Sequence, residues 1–139
     1  MERDIVQHHT TSTIKRCVIE LQGFRNNSHE FIVKELAIFD IATHVVNYFL
    51  FKPPFPFRVL NNKAFRTNRW LTQNFHHLTW DEGFTEYKEL TNIMHHYCKQ
   101  YDEIYTSGLE KSQWIRKFST RQVINHDFNQ DFASELHGF

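Results

Sequence analysis

Apolar and polar positions alternate with a period of two early in the chain, switch to a helical period in the middle, and return to short alternating runs near the end. From Lys15 to Leu21, Cys17, Ile19 and Leu21 fall on one side while Val18, Glu20 and the following Gln22 fall on the other, which predicts a half-buried strand. Arg25-Asn26-Asn27-Ser28 is rich in residues that accept tight turns. Two more strands are predicted over Glu30–Asp40 and His44–Phe51, and the short link Ile41–Thr43 makes them antiparallel neighbours. Pro53, Pro54 and Pro56 end the third strand, because proline has no N–H to give a ladder.

Leu60, Ala64, Thr67 and Leu71 then recur at helical spacing and predict a helix over Asn61–Asn74, with Phe75–Trp80 as a connecting segment. Tyr87, Leu90, Met94, Tyr97, Cys98 and Tyr101 line one face of a longer helix, predicted over Phe84–Tyr101. A short strand, Glu103–Thr106, leads through Ser107-Gly108 into a third helix, Leu109–Phe118. A last strand, Gln122–Asn125, precedes a polar tail that carries Asp127. The order β-β-β-α-α-β-α-β predicts an α/β fold. Its mixed sheet is a three-stranded antiparallel meander followed by αβαβ, with helices packed on the sheet. At 139 residues the chain is read as one domain, 14–139, behind a flexible N-terminal arm, 1–13.

Composition changes this picture in three ways. Sixteen Lys and Arg balance sixteen Asp and Glu, so no global field draws in nucleic acid and any such binding rests on a local patch. Aromatic residues make up 16% of the chain, fourteen of them Phe, so the core is built largely on rings. Cys17 and Cys98 lie far apart in apolar segments and read as buried reduced thiols of an intracellular protein, nuclear or cytoplasmic. No apolar run reaches the ~18 residues of a membrane span, so no membrane partner is expected.

With the elements in place, their order resembles the RNase H-like fold, and within it the DEDD-type 3′–5′ exonucleases. The resemblance covers about Ile14 to Asp127. Glu20 and Gln22 stand where that family's first strand carries D-x-E, and Phe31-Ile32-Val33-Lys34-Glu35-Leu36-Ala37-Ile38 is similar to its second strand. His77-Leu78-Thr79 resembles the loop ahead of its long helix. Thr106-Ser107-Gly108-Leu109-Glu110-Lys111 falls on its strand-to-helix turn, and Val123-Ile124-Asn125-His126 on the strand that follows. The resemblance implies a site in which acids hold two divalent ions, Mg²⁺ or Mn²⁺, that activate water.

The residues depart from that site. Gln22 offers only a neutral carbonyl, and Lys111 stands at the third acid. A lysine ~4 Å from a metal costs on the order of 4 kcal/mol per unit of metal charge at an effective dielectric near 20. The expectation is therefore a catalytically degenerate exonuclease-like domain with no cofactor. It would act as a binding module for a protein partner or single-stranded RNA or DNA in a nucleic-acid-handling assembly. Two alternatives stay open: an active Mg²⁺- or Mn²⁺-dependent nuclease with a rearranged site of Glu20, Glu110 and Asp127, and a homodimeric interaction protein. His76-His77 and His95-His96 with Cys98 carry zinc-type atoms, but adjacent helical residues point ~100° apart, so no metal site is expected.

The candidate binding residues are basic and aromatic side chains interleaved. One group is Lys52, Phe55, Phe57, Arg58, Lys63, Arg66, Arg69 and Trp70, and a second is Lys111, Trp114 and Arg116. Cations that meet phosphates beside rings that stack on bases are what a single-stranded nucleic-acid groove uses. The same residue types also mark the centres of protein interfaces.

Overall fold

A computed structural model describes residues 13–126, and the expectations for the arm and for Asp127 fall outside them, Thr13 apart. Three antiparallel strands open the chain: β1 (Arg16–Arg25), β2 (Phe31–Asp40) and β3 (Val46–Leu50). Helix α1 (Asn62–Asn74) follows, then α2 (Leu90–Cys98), β4 (Glu103–Thr106), α3 (Leu109–Ile115) and β5 (Gln122–Asn125). The strands form one sheet in the order β3-β2-β1-β4-β5, with β1–β4 and β4–β5 parallel. The fold is thus α/β with a mixed five-stranded sheet. No helix among the described residues is long and apolar enough to cross a membrane.

The alternation in the sequence sorts the core. Cys17, Ile19, Leu21, Leu36 and Ile38 are fully buried and meet Met94 and Cys98 of α2, Ile104 of β4 and Ile115 of α3. Both thiols are free, and burial pushes Cys17 up to about 12 and Cys98 to about 11. The register changes from Gln22↔Glu35 to Gly23↔Val33, which leaves Lys34 as the extra residue of a β-bulge. A Cβ on Gly23 would lie 1.9 Å from the carbonyl oxygen of Ile32, so only glycine fits this crossing. Beyond the bulge Phe24 and Ile32 join a second apolar cluster with Leu60, Ala64 and Trp80, and α1 packs there.

Several boundaries differ from expectation. The predicted helix over Phe84–Tyr101 begins only at Leu90, after a 3-10 turn at Tyr87–Glu89. The backbone before it extends the sheet instead: Phe84 and Thr85 donate to Leu50, and Lys52 donates to Thr85. Gly83 permits this approach, since a Cβ there would meet the backbone of Phe51 and Lys52 at 2.5 Å. β1 runs four residues past its expected end at Leu21, carried by pairing with β2. β3 is shorter than His44–Phe51, and α3 ends at Ile115 rather than Phe118.

Candidate functional site

Glu20 and Lys111, which the resemblance sets at acid positions, come near one another where β1 meets the end of β4. Thr106 is buried and donates to the Ile19 carbonyl at 2.8 Å, holding the end of β4 to the middle of β1. The chain then turns through Gly108, at φ 106°, into α3, and this brings Lys111 into electrostatic range of Glu20. Glu20 keeps contact with solvent, but the protein around it raises its pKa, and Lys111 offsets part of that rise. Burial lowers the pKa of Lys111, opposed by Glu20 and Glu110. A lysine thus lies in electrostatic range of the one acid on β1.

Glu110 is engaged elsewhere. Both its oxygens accept from the Arg25 guanidinium at 2.6 Å, and this bidentate bond holds its carboxyl below the usual carboxylate range. Of the three acids in the rearranged site, Glu110 is committed to Arg25 and Asp127 lies outside the described residues. Among the described residues no group of three or more His, Cys, Asp and Glu is placed to hold a metal ion. His76 is spent on structure: it bonds the Gly23 carbonyl through Nε2 at 2.9 Å, and its Nδ1 accepts from the Leu78 N–H at 3.0 Å. That pair of bonds requires the neutral ring with the proton on Nε2, and burial keeps its pKa low. His95 and His96 are exposed on α2.

The basic residues of the first candidate group gather on α1. Asn61 caps the helix by accepting from the Ala64 N–H at 2.9 Å. Buried Ala64 and Asn68 set the inner face, so Lys63, Arg66, Arg69 and Trp70 share the outer one. Asn62–Asn74 contains no acidic residue. Arg58, in the 3-10 turn before it, is also exposed. None of Arg58, Lys63, Arg66 and Arg69 is in an ion pair among the described residues; the four pairs use Arg16, Arg25, Lys52 and Arg121. Trp70 is 56% exposed and Phe75, just past the helix, 58%. Arg69 lies over the Phe65 ring, 5.8 Å from its centroid.

The remaining candidates divide. Lys52 is paired with Glu86 at 3.0 Å. Phe55 and Phe57 pack on Trp80 at 5.4 and 5.3 Å, so the proline knuckle is anchored to the second cluster. Phe55 also joins Trp114 in lining a groove of about 600 Å³ beside α3, which brings the two sequence groups together. Arg116 leaves that set and donates to the Val123 carbonyl at 3.1 Å.

No protein-family model, no curated protein and no solved structure matches this chain.

Three residues that hold the site together escaped the sequence reading. Asn68 is fully buried; its Oδ1 accepts from the Arg25 N–H and its Nδ2 donates to the Arg25 carbonyl, both at 2.8 Å. The signal was present, since Asn68 lies four residues after Ala64 on the apolar face of its helix. Arg25 is the hub that ties α1 and α3 to the end of β1. Lys34, only 2% exposed, donates to the carbonyls of Trp80 and Glu82 and so fixes the segment on which the knuckle rests. A lysine in the middle of an apolar strand was its signal.

Proposed function

We propose that this chain is an RNase H-like, exonuclease-like domain whose metal position has lost its chemistry. In this reading the scaffold serves to bind single-stranded RNA or DNA in a nucleic-acid-handling assembly. The β-β-β-α-α-β-α-β order and the parallel joining of β4 to β1 support the scaffold. The position of Lys111 within electrostatic range of Glu20, beside a neutral Gln22, supports the loss of chemistry: a divalent ion there would meet one carboxylate and a nearby ammonium.

One observation carries the binding function. The outer face of α1 presents Lys63, Arg66 and Arg69 without an acid on the helix or an ion-pair partner among the described residues, together with the exposed ring of Trp70 and, just past the helix, that of Phe75. In a chain of zero formal net charge, an unneutralised row of this kind is the local patch that phosphate recognition needs. Rings that stand in water next to such cations are placed to stack on unpaired bases.

The test is fluorescence anisotropy of labelled single-stranded oligonucleotides across a salt series. Binding should weaken linearly in log–log form as salt rises, and reversing charge on α1 should flatten that slope. Duplexes of the same sequence should bind more weakly. Salt-independent binding, or none, would remove the reading. Cleavage of the oligonucleotides that requires Mn²⁺ and stops with EDTA would restore the nuclease alternative.

A further inference from the structure

We propose that the groove beside α3 receives one base of the bound strand and selects guanine. This inference rests on the nucleic-acid reading above and gives it a sequence preference. The groove, about 600 Å³, is walled by the rings of Phe31, Phe55, Tyr87 and Trp114. Its size lies within the ~300–1,000 Å³ of small-molecule sites. Trp114 is braced on two sides, by Phe31 at 6.5 Å edge-on and by Phe118 at 4.8 Å, so its ring is held ready for stacking. Stacking alone tolerates any base.

Selectivity comes from the carboxylates on the rim. Glu110 has both oxygens occupied by Arg25. Glu30 is in no ion pair among the described residues; its Oε1 accepts one bond, from Asn26 Nδ2 at 2.9 Å. Asn26 Oδ1 in turn accepts from the Glu30 N–H at 2.8 Å, which fixes the residue at the mouth of the groove. An ionised carboxylate only accepts hydrogen bonds. Of the four bases, guanine alone offers two adjacent donors on one edge, N1–H and the 2-amino group, to match its two oxygens. Cytosine and adenine offer a single amino group there, and thymine or uracil a single ring N–H.

The groove and the basic helix are joined by one turn. Asn26 and Glu30 lie on the groove side. Asn27 of the same turn donates to the Val59 carbonyl and accepts from the Asn61 N–H at the head of α1. A strand whose phosphates follow Lys63 and Arg66 is thereby led toward the groove, and Lys117 on its lining supplies a cation for a phosphate there.

The experiment compares eight-residue oligothymidylates that carry one central G, A, C or inosine, and the matching oligouridylates, by anisotropy with the full chain and its Glu30→Gln variant. The G oligomer should bind about tenfold tighter than the unsubstituted one, as one bidentate base contact provides. Inosine, which lacks the 2-amino group, should lose most of that gain. Glu30→Gln should abolish the preference, read as the ratio of G-oligomer to oligothymidylate affinity within each protein, and Trp114→Leu should reduce the gain from G with α1 intact. Equal affinity for all four oligomers, or a preference that survives Glu30→Gln, would overturn the inference and leave the nucleic-acid reading standing. Failure of every oligomer to bind would overturn both.

Discussion

The outer face of α1 and the groove beside α3 lie on either side of the β1–β2 turn, and they manage charge in opposite ways. On α1 the cations have no acidic neighbours within the helix and stand in water. Beside α3 Glu110 is taken up by Arg25, which leaves Glu30 and Lys117 as the charged lining residues outside any ion pair among the described residues. The first surface is suited to a ligand of uniform charge and variable sequence. The second is a shaped groove that sets aromatic walls against polar side chains, and is suited to one flat group in one orientation. A backbone-plus-base ligand needs both kinds of surface side by side.

The largest effect should come from destroying the first surface. Reversing Lys63, Arg66 and Arg69 to Glu should weaken oligonucleotide binding by about a hundredfold or more at low salt and lower the log–log salt slope by ~2. Charge reversal of exposed helical side chains should leave the melting temperature within a few degrees of the parent. If affinity survives with its slope intact, the α1 face is an ordinary solvated surface and the comparison fails.

The second prediction separates the two surfaces mechanically. Asn68→Ala removes both bonds to the Arg25 backbone and leaves a buried N–H and carbonyl unpaired, which costs about 2–4 kcal/mol. The loss should loosen α1 from the sheet, and amide exchange should rise along Asn62–Asn74 while α3 stays protected. Uniform loss of protection would mean that α1 and the groove are one cooperative unit.

Lys34 tests the support of the knuckle that carries Phe55 into the groove. Burial depresses its pKa from the usual lysine value to about 8, while nearby Asp81 and Glu82 oppose the fall. A lysine whose pKa is lower folded than unfolded binds more protons in the unfolded state between those values, so its contribution to stability rises as pH rises from about 8 to 10.5. The stability difference between the parent and Lys34→Met should therefore rise with pH across that window, by at most roughly 3 kcal/mol. The carbonyls of Trp80 and Glu82 favour the ammonium and reduce the change. A flat difference would show that they cancel the desolvation entirely. The comparison with Met is needed because the buried thiols act in the opposite sense above pH 9, their stabilisation being lost as Cys98 and Cys17 approach about 11 and 12.

Much of the fold was legible because its signals are local. The alternation Cys17, Ile19, Leu21 matches three fully buried residues, and Asn61 at the start of the helical period is its cap. Gln122–Asn125 and Glu103–Thr106 were bounded by turn residues and fall as read. The misplaced start of α2 has a different origin. Phe84 and Thr85 fit a helical period, but their N–H groups are captured by Leu50, thirty-four residues earlier in the case of Phe84, which no local pattern announces. The site was legible in its parts only. Lys111 could be placed near Glu20 through the resemblance, and the basic face of α1 through its spacing. That Arg25 would take Glu110 depends on a bulge two residues upstream and a turn that brings residues 85 apart together.

That ion pair gives the smallest and most discriminating prediction. Glu110 has a depressed pKa because Arg25 bonds its ionised form, so its contribution is present above the ordinary carboxylate value and is lost as pH falls through the lower folded value. The Glu110 side chain is 57% exposed, and the pair is worth about 1 kcal/mol or less after solvent screening. Glu110→Gln should therefore lower the melting temperature by only a few degrees at neutral pH, and by nothing once acid has protonated the parent. Its effect on binding is the sharper readout. If Glu110 serves only to hold Arg25, the variant keeps its guanine preference, because Glu30 is untouched. If the preference falls as it does in Glu30→Gln, both carboxylates read the base, and the charge on the groove is less fully taken up than its geometry shows.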